Sequence, residues 1–289
     1  MLRLAILLVW GLLPSLAQAQ ATFERIKTRG QIVVAYREDA APFSYHDEKK
    51  QPIGYSLEFC EAIVGKVRAQ PGMGKLKVSY MPVPVDRVLT YVSEGTADML
   101  CSGTSDTPAR RSEVAFSQPI YFDSVGVMVR RKDNVSRLEQ LKGKKVVAIK
   151  ATTAVDAIND YLKKSAGGLK LEELLNGDAA LSQLQLGQAA GYARDRVLLA
   201  VQRASSPAPD DYLILPDQLS SETIAVVYRK DDGAMKALVD GAIGEAIASG
   251  KAQEWHDKWF TKPILLNKAR RALDVPMPAE LKAAFARKK

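Results

Sequence analysis

Two successive runs of alternating strand-like and helix-like segments constrain this chain more than any other feature. In the first run, "QIVVAYR" is an apolar stretch of strand length after Gly30. "SLEFCEAIVGKVRA" places Cys60, Ile63, Val64 and Val67 on one helical face behind Ser56 as the expected N-cap. "LKVSYMPV" is a second strand, a helix begins near Asp86 and ends before Gly95, and "ADMLCSG" is a third strand. The pattern then restarts. "GKKVVAIK" is a strand, "TTAVDAINDYLKK" a helix, "KLEEL" a strand start, "ALSQLQLGQ" a helix, and "AAGYARD" a strand entering a further helix. Strands joined by helices of this length build right-handed βαβ units and a parallel sheet, so two α/β lobes of similar build are expected.

Two β-rich, polar-flanked segments, "YFDSVGVMVRR" and "SSETIAVVYRKDD", are placed to carry the chain from one lobe to the other and back. The amphipathic "GAMKALVDGAIGEAIASGKAQEWHDKWF" then returns to the first lobe. The expected division is residues 22–124 with 226–289 in lobe one and 125–225 in lobe two. Ligands of such folds sit outside the carboxyl ends of the strands, at helix N-termini.

The N-terminal "MLRLAILLVWGLLPSLAQAQA" has Arg3, an apolar run from Leu4 to Leu13, and small residues at Ala17 and Ala19. That is the build of a secretory signal peptide over residues 1–21, cleaved after Ala19 or Ala21. The alternative, a membrane anchor, needs about 18 apolar residues, more than this run supplies. Export to the periplasm gives the two cysteines meaning. Cys60 and Cys101 are the only ones, and an oxidising compartment favours a disulfide between them over two separate buried thiols. The net charge of +8 is spread among 33 acidic residues, which indicates a solvated surface and no nucleic-acid partner.

Enzymatic constellations lack parts. His46 and His256 are the only histidines, and G-x-S-x-G, H-E-x-x-H and C-x-x-C are absent. No cofactor or metal site is expected. Single acid–base carboxylates leave no signature, so an enzyme remains an alternative. Polar groups do cluster at strand-to-helix junctions: Thr104, Ser105, Arg110, Thr152, Thr153 and Asp195. The hydroxyls there could be plain helix caps, as could Asp195. In "TSDTPARRSEVAF", Thr107 and Pro108 read as N-cap and first helical residue, which puts Arg110 and Arg111 in a first turn. Cations are disfavoured at that end of a helix. A bound carboxylate, held by an arginine and the neighbouring N–H groups together, would resolve the conflict.

"APFSYHDEKKQPIGYSLEFCEAI", "EGTADMLCSGTSDTPARRSEVAFSQPIYF", "LKGKKVVAIKATTA", "GYARDRVLLA" and "EWHDKWF" resemble the polar amino-acid periplasmic binding proteins of ABC importers. These are solute-binding proteins of family 3, and the similarity is strongest to the glutamate/aspartate-binding branch. The resemblance covers almost all of the chain after the leader. It implies a two-lobed type II periplasmic binding fold, with the ligand in a cleft between lobes joined by a two-strand hinge. It also implies that Arg110 forks onto a ligand α-carboxylate, with the Ser105 N–H assisting and Thr152 closing from the second lobe, while Arg111 is solvated. The α-ammonium falls to the Gly103 carbonyl, the Ser105 hydroxyl and Asp195. Arg37 and Arg87 stand where relatives for cationic amino acids carry an acidic and an aromatic residue, which favours an acidic ligand side chain.

The implied partners are L-glutamate or L-aspartate and the membrane permease of an ABC importer, served by a monomer that closes on its ligand. Pro84, Ile149 and Gly177 depart from the glutamate/aspartate pattern, which has serine, threonine and histidine there. Another polar amino acid is therefore one alternative ligand. A periplasmic cyclohexadienyl dehydratase-like enzyme on the same fold is the alternative of a different class.

Overall fold

The computed structural model describes residues 14–165, 168–266 and 269–286. Most of the expected signal peptide, residues 1–13, lies outside the described residues. The helix Pro14–Arg29 runs across both expected cleavage points. Gly30, with φ of 67°, follows that helix and turns the chain into the first strand.

Two five-stranded sheets share one plan. The first has the order Lys77–Pro82, Gln31–Tyr36, Met99–Leu100, Val227–Arg229, Val114–Phe116. The second has the order Lys170–Leu174, Lys145–Ile149, Gly191–Asp195, Val125–Arg130, Tyr212–Ile214. In each, the first three strands are parallel, as the alternation predicts, and joined through helices. The remaining pairings are antiparallel, which corrects the expectation of a simple parallel sheet. Val125–Arg130 and Val227–Arg229 enter their sheets from the crossing between lobes, and so run opposite to the strands beside them.

Each β-rich crossing segment breaks into two strands. Tyr121–Asp123 pairs antiparallel with Glu222–Ile224 to form a separate two-stranded ribbon, and each chain then continues into a sheet. That ribbon is the hinge. The larger core lies in the first lobe, where Phe59, Ile63 and Val67 of the helix Tyr55–Arg68 pack with Val239 and Ile243 of the helix Gly233–Ala248. The return of the chain after the second lobe is therefore driven by burial, at roughly 25 cal/mol for each Å² of apolar surface removed from water.

The helix around Cys60 starts differently from the expected Ser56 cap. Gly54, with φ of 143°, is the N-cap residue, and a Cβ there would sit 2.3 Å from the Phe43 carbonyl oxygen. The N–H groups of Tyr55 and Ser56 donate to the carbonyls of Pro42 and Phe43 at 2.8 and 2.9 Å. With backbone acceptors already in place, the Ser56 hydroxyl donates instead to the Ser102 carbonyl at 3.0 Å. Cys60 and Cys101 are bridged with their Cα atoms 6.3 Å apart, which ties this helix to the strand end that leads into the arginine loop.

Candidate functional site

The residues after Met99–Leu100 form the floor of the site. A Cβ at Gly103 would lie 2.7 Å from the Phe43 ring, so glycine is what lets the chain pass Phe43 here. Ser105 forms an isolated antiparallel bridge with Ile224, which fastens the loop to the hinge ribbon. The expected helix after Thr107 is a single 3₁₀ turn, Arg110–Ser112. Its N-cap residue is Ala109 and not the expected Thr107, whose hydroxyl nonetheless accepts from the Arg110 N–H at 3.3 Å. One turn has little dipole, so the first-turn conflict is weaker than the sequence implies.

The two arginines of that turn have different fates. Arg111 is exposed and forked onto Asp106, as expected of a solvated residue. Arg110 turns inward, and its Nη1 donates to the Ser105 carbonyl at 2.9 Å. Among the described residues no carboxylate pairs with it. Burial lowers its pKa against the opposing pull of Asp195 and Glu222. A half-buried guanidinium with spare donors is suited to an anion.

The acidic side comes from the second lobe and the hinge. Asp195 ends the strand Gly191–Asp195 and occupies the N-cap position of the helix Arg196–Ser205, yet its side chain caps nothing. Its Oδ1 is buried and has no partner. Burial and the nearby Glu222 push the Asp195 carboxyl up to about 6, although Arg194, Arg37 and Arg110 pull it down. The helix Thr153–Lys164 begins at the cleft, and its first N–H groups are the unpaired donors of any helix start. The hydroxyl of Thr152 turns back to the Ile149 carbonyl at 2.6 Å, leaving those donors uncapped by it.

Arg37, Gly103, Ser105, Arg110, Thr152 and Asp195 thus border one small cavity of about 20 Å³, walled on its apolar side by Val85 and Val88. Arg87 is not in that wall. It is exposed, with its guanidinium 5.5 Å from the centre of the Tyr91 ring. Arg37 borders the cavity, but its fork is engaged by Asp39 at 2.9 and 2.8 Å. Pro84 lies just before Val85, Ile149 ends a buried strand and supplies the acceptor for Thr152, and Gly177 opens the helix Gly177–Leu186.

Three charged residues of this region escape the sequence reading. Glu222, 7% exposed, accepts from the hydroxyls of Ser105, Thr153 and Ser220. Asp123, its neighbour across the hinge ribbon, accepts from the N–H groups of Ser124 and Val197, the latter in the first turn of the helix Arg196–Ser205. Burial, with Asp195 and Glu222 adding to it, raises the Asp123 carboxyl well above the usual range. Arg194 is buried in the second lobe and contacts Asp39 of the first. A signal was present for one of them: Arg194 stands within "GYARD", a strand buried up to that residue, and a charge inside a buried strand requires a partner.

The site places cation and carboxylate on opposite walls of one interlobe cavity, an arrangement fitted to a zwitterion. Among the described residues no three metal-ligating side chains come together. Comparison with known proteins agrees in fold and family. The glutamate/aspartate import solute-binding protein of Salmonella typhimurium is 31% identical over 265 residues, which cover 89% of this chain and 88% of that protein. The L-glutamate/L-aspartate-binding protein of Pseudomonas aeruginosa is 31% identical over 269 residues, covering 92% and 87%. The crystal structure of an ancestral amino acid-binding protein, AncCDT-1, a precursor of cyclohexadienyl dehydratase, superposes with a TM-score of 0.70 at 23% identity over 83% of this chain and 99% of that one. Residues 32–262 match the model of one family throughout, and the chain belongs to the bacterial extracellular solute-binding proteins, family 3.

Proposed function

We propose that this protein captures an acidic amino acid, glutamate or aspartate, in the periplasm and delivers it as a monomer to the permease of an ABC importer. The observation that carries this reading is the pairing of Arg110, half-buried with spare donors, with Asp195, whose Oδ1 is buried and free, across one cavity between two lobes. Arg110 and the first N–H groups of the helix Thr153–Lys164 take the α-carboxylate. Asp195 and the Gly103 carbonyl take the α-ammonium. Arg37 faces the ligand side chain, and its charge favours an acid over an amide or a cation. Arg87 contributes only by leaving Tyr91. The names of the two relatives support the same ligand class. Closure moves residues 125–225 against 22–124 with 226–289 about the hinge ribbon, a motion known for such folds.

A second reading rests on Asp195, whose carboxyl, pushed up to about 6, lies in the range of an acid–base catalyst. Its setting speaks for binding, because Arg194, Arg37 and Arg110 offset part of the cost of keeping the carboxyl as the anion that an ammonium needs. Calorimetry of ligand-stripped protein against the twenty amino acids, with a parallel assay for turnover of prephenate and arogenate, separates the two readings. The proposal expects glutamate or aspartate to give the tightest binding and no turnover. Turnover, or preference for a cationic amino acid, would refute it.

A further inference from the structure

The inner cavity, at about 20 Å³, has the volume of about one water molecule, less than the side chain of an amino acid needs. A larger interlobe groove of about 840 Å³ is bordered by Asp39, Tyr45, Gly177, Arg194 and Gln202, and Arg37 of the inner cavity is forked onto its Asp39. A chain of three charges links the linings of the two spaces. Asp39 holds the Arg37 fork on one side, and on the other its Oδ2 lies 3.4 Å from Arg194 Nη2. The two guanidiniums come from different lobes.

We propose that Asp39 is a built-in stand-in for the side-chain carboxylate of the ligand, and that Arg194 together with Arg37 is the pair that selects an acidic side chain. The inference rests on the acidic-amino-acid reading above. With the α-groups fixed by Arg110 and Asp195, the side chain of a bound amino acid needs space that the cavity lacks, and the larger space is the groove bordered by Asp39 and Arg194. The burial of the three partners shows which one gives way. The side chains of Arg37 and Arg194 are 7% and 4% exposed, whereas that of Asp39 is 49% exposed. Arg194 is further held by the Asp39 carbonyl at 2.9 Å and the Tyr192 hydroxyl at 3.3 Å. The cations are fixed and the carboxylate can swing into water.

Displacing Asp39 leaves two buried guanidiniums that must be paired again. An acidic side chain re-pairs them; an amide of the same size does not. The competition therefore sets the selectivity: a neutral ligand must leave the Asp39 bridge in place or forfeit it. Gly177 makes the arrangement possible. A Cβ at that position would lie 2.9 Å from Arg194 Nη1 and 2.8 Å from Gln202 Nε2, so the missing side chain is the space that the guanidinium fills.

Calorimetry with L-glutamate and L-glutamine on the full mature protein, on Asp39→Asn and on Arg194→Gln tests this. Asp39→Asn removes the competing charge from a half-exposed site, so the fold is kept. It should tighten glutamate binding about tenfold and change glutamine binding less than about threefold. Arg194→Gln should lower the glutamate-to-glutamine affinity ratio by at least about tenfold. Wild type that binds glutamate with a ratio unmoved by Asp39→Asn overturns the inference and leaves the acidic-amino-acid reading standing. Wild type that binds no acidic amino acid overturns both.

Discussion

Thr153 donates its hydroxyl to the Glu222 carboxylate at 2.9 Å, and the acceptor is the same oxygen that takes the Ser105 hydroxyl. Thr153 opens a helix of the second lobe, Ser105 belongs to the anion loop of the first, and Glu222 sits on the hinge ribbon between them. One carboxylate oxygen thus registers whether the two walls of the cleft have met. Glu222→Ala strands two buried hydroxyls, at about 1–3 kcal/mol for each buried group left without a partner. The variant should melt lower, and small-angle scattering should show a larger radius of gyration for the ligand-free protein. Glu222→Gln, which keeps an oxygen acceptor, should show a smaller change. An unchanged radius and melting point in Glu222→Ala would remove Glu222 from the closure.

The Asp195 carboxyl gives a pH signature whose two parts have opposite signs. A carboxyl raised to about 6 in the folded protein makes a favourable contribution below its unfolded value, and this is lost as pH rises through about 6. Ligand-free protein should therefore gain stability from this group as pH falls from 7 to 5. Binding should weaken over the same range, by about tenfold, because the ligand ammonium needs the ionised form. Calorimetry at pH 7, 6 and 5 reads the affinity, and thermal melts of ligand-free protein read the stability. Asp195→Asn should bind weakly with a flat profile. A flat wild-type profile would mean that Asp195 does not meet the ammonium.

The bridge between Cys60 and Cys101 closes a loop with a sequence separation of 41 residues. Loop entropy places its contribution at about 2–4 kcal/mol, lost on reduction or in Cys60→Ala with Cys101→Ala. Thiol titration of unfolded, unreduced protein should find none free. Denaturation with and without reductant should give unfolding free energies separated by that amount, with the midpoint lower under reductant, and coincident curves would contradict it.

How far the sequence foretells this site varies with the kind of residue. Strands such as "QIVVAYR" and helices such as the one carrying Cys60, Ile63 and Val67 announce themselves through apolar period, and both form as expected. Ser105, Arg110 and Asp195 were legible because strand-to-helix junctions are where polar groups face a cleft. Glu222, Asp123 and Arg194 were hidden because each gains its meaning from a partner far along the chain: Ser105 and Thr153 for Glu222, Val197 for Asp123, Asp39 for Arg194. Local pattern carries no record of such pairs. The Ser56 cap failed for a related reason, since the carbonyls of Pro42 and Phe43 reach that helix start from another part of the chain.

The central claim is that Arg110 anchors the α-carboxylate of an amino acid between the lobes. Calorimetry of L-glutamate against ligand-stripped wild type and Arg110→Ala, side by side with a circular dichroism check of folding, tests it most directly. Saturable one-to-one binding by the wild type is expected. The loss of one partner of a buried charge pair costs about 2–5 kcal/mol, so affinity in Arg110→Ala should fall from about thirtyfold to several thousandfold, with the fold intact. A folded Arg110→Ala protein that binds glutamate as tightly as the wild type would contradict it.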